Sequence, residues 1–155
     1  MSLTVKERMH AALTDAMRAR DDIALSALRQ ALSEVTVAET AGAEQVVLSD
    51  AEVLAVLAVE VRKHHETAEA FVTAGRPEKT ERELAEAAVL EAYLPAALTD
   101  EELDGIIAAE VAAAAADGAT GMKAMGKVVS AVRAKAGATA DGAAIANKVK
   151  AALSA

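Results

Sequence analysis

The feature that most limits this chain is what its apolar content is made of. Apolar residues are 54% of 155 positions, yet there is one Phe, one Tyr and no Trp, and alanine supplies much of the rest. Alanine has the highest helix propensity of any residue and is depleted in strands. The chain also carries few of the β-branched or aromatic runs that strands need. These facts predict an all-α fold with a lean core of Leu, Val, Ile, Met and Ala. Small side chains let helices approach closely, but each buries little area.

Periodicity and punctuation divide the chain into seven helices. The first runs from about Leu3 to Arg20, with Val5, Met9, Leu13 and Met17 on one stripe. After the polar break Arg20-Asp21-Asp22, a second carries Ile23, Leu25, Leu28, Leu32 and Val35 and ends near Gly42. Ser49-Asp50-Ala51-Glu52 reads as a capping box that opens a third, with Val53, Leu54, Leu57, Val61, Ala68 and Phe71 inward, stopped by Gly75. A fourth covers about Glu78 to Tyr93, with Leu84, Ala88, Leu90 and Leu94 inward. Pro95 ends this unit, so the expected organisation is an N-terminal four-helix domain, 1–95, and a C-terminal three-helix domain, 96–155. Thr99 and Glu102 form a second capping box, which launches a fifth helix through Leu103, Ile106, Ile107 and Val111 to Gly118. A sixth spans roughly Gly121 to Ala136. Gly137 to Ala140 is a turn, and Asp141 caps a last helix with Ile145, Val149 and Leu153 inward.

The absence of Cys excludes disulfides, thiol catalysis and cysteine zinc sites. The most apolar segment, Val53 to Val61, is too short to span a bilayer and contains Glu60. With no signal-like N-terminus, a cytoplasmic protein is expected. The net charge is −8, but it is unevenly spread. Residues 1–119 hold 10 Lys+Arg and 23 Asp+Glu, whereas residues 120–155 hold Lys123, Lys127, Arg133, Lys135, Lys148 and Lys150 against Asp141 alone. A local balance of +5 in an acidic chain points to an anionic partner for the tail.

On the sixth helix Met122, Met125, Val129 and Val132 share one face, and Lys123, Lys127 and Ser130 share the opposite one. Amines beside Gly121, Gly126, Gly137 and Gly142 suit phosphate contact, because glycine admits the phosphate closely and helix starts favour anions. The same pattern also fits an ordinary solvated face. Gly121 to Lys127 satisfies GxxxxGK, but Val128 stands where a P-loop needs Ser or Thr, and no strand precedes it. His64 and His65, with Glu66 and Glu69, read as surface histidines with a helical Glu partner rather than a metal site. No nucleophile elbow or catalytic triad is present, so no catalytic residue, metal or cofactor is assigned. With only Phe71 and Tyr93 to stack on bases, RNA binding would read backbone and shape.

The ordered landmarks resemble a known family. They are Gly75-Arg76-Pro77-Glu78, then Glu81-Arg82-Glu83-Leu84, then Leu90-Glu91-Ala92-Tyr93-Leu94-Pro95. Met125-Gly126-Lys127-Val128, Ala140-Asp141-Gly142 and Asn147-Lys148-Val149 follow in the tail. Together they resemble the YqeY-like, or GatB/YqeY-domain, proteins along essentially the whole chain. The resemblance implies a helical N-terminal domain and a tail similar to that of the B subunit of the tRNA-dependent amidotransferase, which helps hold tRNA. By position, Lys123, Gly126, Lys127, Asp141, Gly142, Asn147 and Lys148 would carry the contact. The chain departs from the family pattern at Thr139, Ala143 and Ala144, where lysine is frequent. The resemblance implies a non-catalytic tRNA-binding accessory protein, and a link to glutamine-dependent carbon–nitrogen ligase chemistry in an accessory role only. The alternative is a protein–protein interaction module without RNA.

Overall fold

The protein's computed structural model describes residues 2–137 and 140–155. Among them are seven α-helices and one short 3-10 turn, and no strand. One compact unit spans Met1–Pro95 and a second Ala96–Ala155.

In the first unit, α1 (Val5–Ala19) begins at a capping box that the sequence reading passed over. The Thr4 N–H donates to Glu7 Oε2 at 2.8 Å and the Glu7 N–H to Thr4 Oγ1 at 3.1 Å. Arg20 closes the helix in a left-handed conformation, φ 55°, and Asp21 caps α2 (Asp22–Glu39) by accepting the Ala24 N–H at 3.1 Å. α2 ends three residues before Gly42 because Glu39 turns inward. Its carboxylate accepts Lys6 Nζ at 2.6 Å and the Leu48 N–H at 3.1 Å, which pins the connection to α3. Ser49 and Glu52 make the expected box at the start of α3 (Asp50–Thr73), and Asp50 also accepts the Val5 N–H at 2.9 Å. The core is Val5, Met9, Ala27, Leu28, Ala31, Leu32, Val35, Val53, Leu57, Val61 and Leu90.

Met17, expected on the apolar stripe of α1, is 54% exposed, and two readings of the α3–α4 seam are corrected as well. On α4 (Pro77–Glu91) the buried residues are Glu86, Ala87 and Leu90, while Leu84 is 43% exposed and Ala88 is exposed. On α3, His64 is not a surface residue: it is only 5% exposed, between the buried Val61 and Ala68. Both errors have one cause. Part of the α3–α4 seam is polar, so an apolar stripe cannot locate it. His64 Nδ1 lies 2.7 Å from Glu83 Oε2, and His65 Nε2 lies 2.6 Å from Glu91 Oε1 rather than against Glu69.

In the second unit, Thr99 and Glu102 box the start of α5 (Asp100–Ala116) at 2.9 and 3.1 Å. A 3-10 turn, Gly121–Ala124, leads into α6 (Met125–Ala136), and Asp141 caps α7 (Gly142–Ser154) through the Ala143 N–H at 3.1 Å. The core combines Leu103, Ile107, Ala114, Ala124, Val128, Val132, Ala136, Ile145 and Val149. The face expected for the sixth helix is therefore rotated. Val128 lies at its centre, Met125 and Val129 are half-buried, and Met122 is 51% exposed. A 3-10 turn advances about 120° per residue against 100° in an α-helix, so residues before Met125 fall out of the α-helical register. Part of the expected turn at 137–140, including Thr139, lies outside the described residues.

Candidate nucleic-acid interface

The seven expected contact residues fall into two groups within the second unit. Lys123 lies in the 3-10 turn, and Gly126 and Lys127 lie in the first turn of α6. Asp141, Gly142, Asn147 and Lys148 lie at the cap and along the first half of α7. Among the described residues no hydrogen bond or ion pair joins one group to the other. Gly126 has open space where a side chain would stand. Gly142 does not: a Cβ there would run into the Arg133 guanidinium, which lies over the start of α7. Asp141 already serves as a helix cap, which fixes its carboxylate on the backbone.

The electrostatics are set by residues to which the sequence reading gave no role. Lys127 Nζ lies 3.0 Å from Asp117 Oδ2, and Lys148 Nζ lies 2.8 Å from Asp104 Oδ1 and 3.8 Å from Asp100 Oδ1. Lys135 pairs with Glu110. The hydrogen bond to Asp104 holds the Lys148 ammonium above its usual range, against the opposing effect of its partial burial. Lys123, Arg133 and Lys150 make no ion pair among the described residues.

Residues 96–155 hold six cations and seven carboxylates: Asp100, Glu101, Glu102, Asp104, Glu110, Asp117 and Asp141. The +5 of residues 120–155 thus becomes −1 for the folded unit, because α5 carries its acids onto the same body. The signal that finds this is the Pro95 boundary itself. Charge summed by compact unit, rather than by tail, brings the α5 carboxylates in.

The GxxxxGK run crosses the 3-10 turn and the first turn of α6, follows the helix α5 rather than a strand, and commits its Lys127 to Asp117. The two aromatics are in the first unit and already covered by cations. Arg8 lies 5.6 Å from the Tyr93 ring centroid and Lys79 lies 5.4 Å from that of Phe71. No helix among the described residues is long and apolar enough to cross a membrane.

A family model described as Yqey-like protein matches residues 6–153. No curated protein matches the chain.

Proposed function

The chain belongs to the YqeY-like family, and on that premise we propose that it is a non-catalytic accessory protein of the cytoplasm that contacts tRNA through residues 96–155. In this reading the two compact units act as separate domains, a four-helix one and a three-helix one, and only the second meets RNA. The observation that carries it is the set of exposed cations on the last segments. Lys123, Arg133 and Lys150 are free of carboxylates among the described residues, and the first turn of α6 is free of acids. Lys123 and Lys127 would neutralise phosphates beside the open Gly126, and Lys148 with Asn147 would add a second point of contact. The α5 carboxylates keep the affinity modest and confine contact to these points.

Filter binding of tRNA at several salt concentrations tests the reading. Three phosphate contacts give a slope of log affinity against log salt of roughly −2 to −3. Absence of binding at low salt, or a signal indifferent to salt, removes it. A second reading, a protein-docking module, is favoured by one observation: the unit's balance of −1, with three of its lysines in ion pairs. A partner that co-purifies after ribonuclease treatment supports that reading instead. Any connection with glutamine-dependent amide transfer would be accessory, and an amidation assay on the purified protein with charged tRNA should yield no product from this chain alone.

A further inference from the structure

The α3–α4 seam holds a cluster that folding alone does not call for. His64 and Glu86 are buried, and Glu83 is half-buried beside them. His64 Nδ1 lies 2.7 Å from Glu83 Oε2 and 3.7 Å from Glu86 Oε2, and one donor atom from each of the three residues falls within 4.8 Å of the others. An ionised carboxylate only accepts, so Nδ1 donates to Glu83, and the ring's other nitrogen is Nε2. That Nε2 is buried and has no hydrogen-bond partner among the described residues. Buried ion pairs are weak stabilisers, and well-packed apolar side chains in their place usually do as well or better. Two carboxylates gathered on one imidazole nitrogen therefore need another explanation, such as an ion that would neutralise them.

We infer that His64, Glu83 and Glu86 form a binding site for a divalent transition-metal ion of the zinc class. One imidazole nitrogen and two carboxylate oxygens suit zinc, manganese or iron(II) better than magnesium or calcium, which take oxygen alone. With metal–donor bonds of about 2.0–2.1 Å, a tetrahedral ion spaces its donors about 3.3 Å apart. The two Nδ1–oxygen distances bracket that value, and the carboxylate oxygens lie within 4.8 Å of each other, so side-chain adjustment without backbone movement is what the site requires.

Arg82 Nε holds Glu86 through Oε1 at 3.1 Å, which leaves Oε2 turned towards His64. Such a carboxylate is oriented for a metal by its outer partner. The 23% exposure of the Glu83 side chain supplies an entry path and leaves room for water in the remaining coordination positions. Glu60, buried one turn before His64 on α3, is engaged by Lys63 at 3.0 Å and stands outside the set. Metal at Nδ1 moves the ring proton to Nε2, which has no acceptor. Lack of such an outer partner weakens metal sites by about 10- to 100-fold, so binding weaker than at a site with a complete outer shell is expected.

The test is titration of the untagged full-length chain with Zn2+ by calorimetry, alongside visible absorption of the Co2+ form. One ion per chain, a Co2+ spectrum of low coordination number and a Zn2+-dependent rise in Tm are expected. His64→Gln and Glu83→Gln should each weaken binding at least about 10-fold, whereas His10→Gln and His65→Gln should leave it unchanged. Glu83 is the least buried of the three, so its variant keeps the comparison usable if His64→Gln disturbs folding. The idea is overturned if the wild-type chain binds no Zn2+ at millimolar concentration. It is equally overturned if Glu83→Gln binds as wild type does, or if loss follows His10 or His65.

Discussion

Glu39 is a single carboxylate asked to hold three segments together, and its ionisation shows it. The Lys6 ammonium first, and the Leu48 N–H second, keep it below the usual carboxylate range. Its folded pKa is thus lower than the unfolded one near 4.3. The stability it contributes is present above the unfolded value and is lost as pH falls through the folded value. Glu39→Gln should therefore lower the midpoint of urea unfolding at pH 7, and the gap between variant and wild type should close on acidification below about pH 4. A gap that stays constant across that range would show that the carboxylate acts by packing alone. Lys148 runs the other way. Its raised pKa gives a contribution present below the unfolded value near 10.4, lost only as pH rises through the folded one.

At the level of elements, local signals were legible and context-dependent ones were not. The boxes at Ser49 and Thr99 could be read because a cap needs only a hydroxyl and a carboxylate three residues on, and Thr4 with Glu7 obeys the same rule. Thr99→Ala should cost about 1 kcal/mol, read as a fall in the stability of residues 96–155. The buried face of α6 was legible only in part, since the sequence does not announce that residues 121–124 wind as a 3-10 turn. Two substitutions distinguish the faces. Val128→Ala, at the centre of the core, should cost about 2 kcal/mol, whereas Met122→Ala on the exposed turn should stay within about 0.5 kcal/mol. Equal losses would restore the α-helical register. His64 was missed for a different reason: helical periodicity is read from apolar residues, and there the buried stripe passes through Glu60 and His64.

The molecule as a whole is acidic, and the division of that charge decides how it can meet a polyanion. Residues 1–95 hold 17 carboxylates and 10 cations, while residues 96–155 are nearly balanced with seven against six. No long-range attraction draws RNA to such a body, so contact depends on short-range pairing at individual lysines. Two of those lysines already face aspartates, Lys127 on Asp117 and Lys148 on Asp104, and a phosphate must compete with each. Asp104→Asn with Asp117→Asn keeps the shape of both side chains, removes the carboxylate of Lys127 and the nearer of the two carboxylates at Lys148, and turns the unit from −1 to +1. At about 1 kcal/mol per close charge pair in water, less after screening, the double variant should bind tRNA about three- to tenfold more tightly at low ionic strength. The advantage should shrink as salt is added, and Lys127→Ala with Lys148→Ala in the same background should erase it. A double variant that binds no more tightly than wild type would mean that these lysines do not touch the phosphates, and that the surface around α6 and α7 serves a partner other than RNA.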